Sequence, residues 1–175
     1  MVQSMTLRLA LFIAAALVSA CNDGGPFLAD GGQPAFDVTI GGVEFQANSS
    51  AAVLFGNVFT VLLTDQPNAC QAYGHIPQQV WTTLTMHLAP SADDSSTANV
   101  VPPKPVPGPG QAVGVLVRAI ADRPPVASFD MIDGTVVWTG NIDGSVTITA
   151  MDVGFAGTPD RLVTGGIIVP SCVPQ

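Results

Sequence analysis

From residue 36 to residue 169 the chain repeats one pattern, and that pattern sets the fold class. Short runs alternate apolar with polar residues and are separated by glycine-containing pairs. A period of two places the apolar side chains on one face of a β-strand. Residues 36–40 (FDVTI) and 43–47 (VEFQA) flank Gly41-Gly42 and predict a hairpin. Residues 51–55 and 58–64 are joined by Gly56-Asn57, a favourable turn pair. Residues 80–88 (VWTTLTMHL) form a strong strand with threonine on one phase, and residues 112–120 (AVGVLVRAI) form another. Residues 126–131 and 135–139 flank Asp133-Gly134, and residues 145–151 follow Asp143-Gly144; both pairs signal type I′ turns. Residues 162–169 close the series, with Gly165-Gly166 suggesting a bulge. Only residues 67–73 (PNACQAY) leave room for a turn or two of helix, with Cys70 on it. About nine or ten short strands predict an all-β domain over residues 36–175, an antiparallel β-sandwich or flattened barrel.

One stretch breaks the pattern. Residues 90–110 hold six prolines and the run PPKPVPGPG. Proline cannot donate to a ladder, so this stretch predicts a long polyproline-like loop between two core strands. The competing reading is a binding segment or a lid.

Charge narrows the partners. Charged residues make up 10% of the chain and hydrophobic ones 47%, which argues against disorder. The net charge is −8, and losing Arg8 with the first 20 residues makes it −9. Such a surface repels phosphate backbones, so nucleic acid is excluded as a partner. No polybasic run is present to hold the domain on an anionic membrane.

The first 20 residues have the form of a signal peptide. Arg8 precedes an apolar run at 9–18 (LALFIAAALV) that is too short to span a bilayer, which needs about 20 residues. Either Met1 or Met5 serves as a start. The run ends in Val18-Ser19-Ala20-Cys21, which resembles a bacterial lipobox. The resemblance implies diacylglyceryl transfer to Cys21, cleavage before it and fatty acylation of the new amino group. Paired acyl chains hold stably where one holds only marginally. Asn22 follows, where an Asp favours inner-membrane retention in the lipoprotein family; the expected location is therefore the cell envelope, at the outer membrane rather than the inner. Residues 21–35, rich in Gly, Asp and Pro, predict a flexible tether.

With Cys21 assigned to lipid, Cys70 and Cys172 remain as an even pair in an oxidising compartment, which predicts a disulfide. Two buried free thiols are the alternative. The combination of lipobox, Gly41–Phe45, Leu63–Asp65 with Ala69-Cys70, Gly144–Thr149 and Gly165–Cys172 resembles small uncharacterised lipoproteins of myxobacterial type. That resemblance implies a β-rich exported domain with Cys70 paired to Cys172, and no activity.

The remaining candidates are weak. His75 and His87 are the two histidines, without the HExxH or CxxC spacing of a metal site, so no metal or other cofactor is expected. A hydrolase would need a dispersed site, because no G-x-S-x-G elbow is present. Asp130, Asp133, Asp143 and Asp152 cluster in sequence and could offer loop oxygens to Ca²⁺, but Asp133 and Asp143 precede glycine and are better explained as turn residues. Asn48-Ser49-Ser50 matches a glycosylation sequon that a bacterial chain has no use for. Trp81, Trp138 and Tyr73 could line a carbohydrate or small-ligand site if exposed; in strands they are equally good core residues. The expectation is a non-enzymatic structural or interaction module, partnered by the membrane through Cys21 and by an envelope protein or glycan.

Overall fold

The computed structural model describes residues 28–29, 33–34, 36–67, 69–72, 80–91, 96–120 and 124–172. The signal segment, Cys21, Tyr73 and His75 lie outside the described residues. Within the segment expected to be a tether, β1 (Leu28–Ala29) and β2 (Gln33–Pro34) pair antiparallel.

The all-β expectation holds. The hairpin β3 (Asp37–Ile40) and β4 (Val43–Gln46) turns at Gly41 and Gly42, with φ of 56° and 78°, the mirror-image geometry that suits strand twist. The chain continues through β5 (Ser49–Phe55), β6 (Val58–Thr64), the single helical turn α1 (Ala69–Ala72) and β7 (Val80–Leu88). Then come β8 (Thr97–Val100), β9 (Gln111–Ile120), β10 (Ala127–Gly140), β11 (Val146–Phe155), β12 (Arg161–Thr164) and β13 (Ile167–Val169). Nine of these form one sheet in the order β12-β11-β10-β8-β9-β7-β6-β5, with β13 also on β11.

The sheet curls until its ends meet. Just past β13, Ser171 bridges Ala52 of β5 in parallel. Two backbone bonds make the seam: Ala52 N–H donates to Pro170 O at 2.7 Å, and Cys172 N–H donates to Ala52 O at 2.8 Å. Inward rows fill the space enclosed. Val61 and Leu63, Leu84, Met86 and Leu88, Leu116, Val136 and Trp138, and Val146 and Ile148 belong to one buried cluster. Ile40 and Phe45 of the small hairpin join that cluster with no exposed surface, so β3–β4 closes one mouth of the barrel. A side chain of that size contributes about 1.5–3 kcal/mol when fully buried. On the outside, α1 covers Ala51 and Leu62, and Cys70 on α1 forms a disulfide with Cys172.

Three details differ from the sequence expectation. First, Asp133-Gly134 is not a hairpin turn: β10 runs unbroken for 14 residues through it, with a register shift between Met131 and Asp133 against β11. The shift is a bulge at Ile132, and Gly134, at φ 110°, follows it in regular register with Val153. Second, the loop expected across 90–110 contains strand β8, because Thr97–Val100 carries no proline. It pairs antiparallel with β10 and parallel with β9. The bulge and β8 belong together. Before it, residues 127–130 of β10 pair with β9; after it, residues 135–137 pair with β8. Third, Gly165-Gly166 divides residues 162–169 into β12 and β13, and both keep the same register on β11, so no extra residue is inserted there. A register shift lies instead in the β10–β11 ladder, between Val137 and Trp138.

Candidate functional site

A polar cleft lies at the mouth closed by the β3–β4 hairpin. Its position follows from two alternations. In β4, Val43 and Phe45 turn into the core, so Glu44 and Gln46 face outward, with Asp37 opposite Gln46. In β7 and β9 the inward rows run Leu88, Met86, Leu84 and Ala112, Gly114, Leu116, then change character at the mouth to Thr82 and Arg118, which pair across the ladder. Asp37, Glu44, Gln46, Asn48, Asp65, Val80, Thr82 and Arg118 enclose a cleft of about 350 Å³.

One wall is fixed by hydrogen bonds. Asp65 directly follows β6; its Oδ2 accepts from Thr82 N–H at 2.9 Å and its Oδ1 accepts from Gln66 Nε2 at 3.1 Å. Asn48 Nδ2 donates to Asp65 O at 2.9 Å. The cleft thus carries three carboxylates, one guanidinium and two amides. Among the described residues, the Arg118 guanidinium makes no ion pair or hydrogen bond.

The aromatic residues singled out from sequence are not brought together. Trp138 sits on the inward row of β10, 1% exposed, edge-on to Phe59 at 5.3 Å. Trp81 sits on the outward row of β7, half-buried, opposite Ala119. The barrel wall separates them, so they cannot form one ligand platform. The indole N–H of each is buried and finds no hydrogen-bond partner among the described residues.

Of the acidic residues, Asp133 and Asp152 meet on one guanidinium and Asp143 stands apart. Arg161 bridges Asp133 and Asp152, at 2.7 Å to each, which fills with a guanidinium the place a cation would take. Those two bonds raise the Arg161 pKa, Asp152 contributing most. Asp143 stands in the β10–β11 turn and accepts from the hydroxyl and N–H of Ser145. No group of three or more metal-ligating side chains converges among the described residues. In the sequon, the Asn48 amide is committed to the cleft wall and the Ser49 hydroxyl donates to Gln66 O.

His87 lies on the outward row of β7, with Nδ1 2.9 Å from the Thr60 hydroxyl. Among the described residues no carboxylate bonds its ring, so the orienting member of a triad is missing from this pair. Burial lowers its pKa below the ordinary 6.5. Between the folded value and 6.5 the unfolded chain therefore binds more protons, and stability falls as pH drops through that window. Urea midpoints at pH 7.5 and 5 should show this fall, and His87→Gln should lessen it. An identical fall in the variant would refute the assignment.

The cleft escaped the sequence reading because its residues come from five separate segments and match no motif. One signal was available: Arg118 occupies the inward phase of an otherwise apolar strand. Comparison with family models, curated proteins and solved structures finds no match to the chain.

Proposed function

We propose that this protein is a lipoprotein of the bacterial cell envelope. Acyl chains on Cys21 hold it to a membrane, the outer one by the Asn22 rule, and its barrel acts as a non-enzymatic interaction module. The observation that carries the reading is the cysteine pairing. Cys70 and Cys172 join to each other, which leaves Cys21 as the third and odd thiol, and it stands in Val18-Ser19-Ala20-Cys21. Structural disulfides persist in oxidising compartments, where a lone thiol invites unwanted pairing unless it is capped. Acylation caps it. The acidic domain, with Lys104 as its sole lysine, has no electrostatic hold of its own on an anionic bilayer.

Cys21→Ser tests this directly. The unaltered chain should incorporate an alkyne-labelled fatty acid and sediment with membranes, and the variant should lose both properties. If the variant still sediments and still takes up label, lipid is not on Cys21 and the reading fails.

The cleft favours a second reading, in which the module captures a small ligand rather than a protein. A concave site with a few fixed polar groups is the usual form of such a site.

A further inference from the structure

We propose that the cleft beside the β3–β4 hairpin binds a small amino compound carrying more ammonium than carboxylate groups, with the chemistry of a basic amino acid such as lysine. The proposal deepens the small-ligand reading and is independent of any lipid at Cys21. Two observations carry it. The first is charge separation across a concavity. Asp37, Glu44 and Asp65 share the cleft with Arg118, yet Arg118 pairs with none of them. Opposite charges that share a cleft without contact leave room for a bridging molecule. A ligand carboxylate would meet the guanidinium, which recognises it as a planar fork. Ligand ammonium groups would meet the carboxylates.

The second observation is the sign of the remainder. Three carboxylates against one guanidinium leave the lining at −2. A monoanion or dianion is therefore repelled, a neutral zwitterion leaves the −2 unchanged, and a diamine cancels it but leaves Arg118 unmet; a compound with two ammonium groups and one carboxylate lowers it to −1 and also meets Arg118. The wall built on Asp65 is rigid because both its oxygens are already held, by Thr82 N–H and by Gln66. Asp37 and Glu44 are exposed, so their contribution is screened by water and salt, and the expected affinity is modest, on the order of a millimolar Kd.

The test is a ligand titration of the purified full-length chain, followed by NMR, with four probes: L-lysine, cadaverine, norleucine and L-glutamate. Lysine should saturate the site. Cadaverine lacks the carboxylate and norleucine lacks the second ammonium; each should bind at least about threefold more weakly, and glutamate should not saturate. Arg118→Gln should erase the preference for lysine over cadaverine. Glu44→Gln should weaken both, and added salt should weaken both further. Thermal melts of the two variants check that they fold, since neither residue belongs to the core. No saturation by any probe would overturn both this proposal and the small-ligand reading. Saturation by glutamate, equal affinity for all four probes, or lysine binding unchanged in both variants would overturn the ligand class while leaving a ligand site in place.

Discussion

Replacing Cys70 and Cys172 together by serine should cost the fold more than any single surface change. The bond spans 102 residues of sequence. In the chain-entropy account, closing a loop of about 100 residues stabilises the native state by roughly 4–5 kcal/mol, largely by restricting the unfolded chain. For a chain of this length that corresponds to a drop of about 10–15 °C in Tm. The local structure adds a reason for the loss to be real. Cys172 also supplies one of the two backbone bonds that close the barrel seam, and Cys70 sits on the helical turn that covers Ala51 and Leu62. Reduction should therefore also speed hydrogen exchange at the Ala52 and Cys172 amides before it does so elsewhere. Melting with and without reductant reads the first effect, and exchange mass spectrometry reads the second. An unchanged Tm in the double variant would refute the clamp.

Gly134→Ala should be the most damaging substitution of a single small residue. The residue sits at φ 110°, and a Cβ there would lie 2.0 Å from Asp152 O and 2.9 Å from Val153 Cα, both backbone atoms of the paired strand. Backbone cannot step aside as a flexible side chain can. The cost combines an unfavourable dihedral with a broken ladder, about 3 kcal/mol or more. Gly157→Ala is the control. It also has positive φ, 78°, but its Cβ would meet nothing within 4 Å, so it should lose only about 1 kcal/mol. Urea denaturation of the two variants separates clash from dihedral strain. Equal losses would mean that the close approach to β11 does not matter.

The sequence disclosed strands far better than it disclosed their connections. β7 has the expected bounds, and the β3–β4 and β5–β6 hairpins turn where glycine pairs stand. Alternation is a local property, and burial of one face enforces it. The Asp-Gly pair at 133–134 misled because a glycine at positive φ can stand within a strand, here just after a bulge, as well as in a turn; only the partner strand decides between them. β8 was hidden because proline-rich flanks outweighed four β-compatible residues in composition. Closure of the barrel rests on Ala52 and Ser171, a pairing that no local window can contain. The cleft was illegible for a related cause. Its polar residues are ordinary one by one, and only the mouth of the barrel assembles Glu44, Asp65 and Arg118. The two tryptophans are parted by orientation: strand parity sends Trp138 inward and Trp81 outward.

The seam has a consequence for how the molecule is made. Residue 52 waits for residues 170–172 before its backbone N–H and C=O are paired. Synthesis proceeds from the N-terminus, so the edge of β5 at Ala52 stays open until residues 170–172 have emerged. An open edge is a template for unwanted pairing with another chain. Leu54 and Phe55, already exposed at the end of that strand, sharpen the hazard. A chain cut before Pro170 should therefore leave the edge at Ala52 open and aggregate more readily than one that carries residues 170–172.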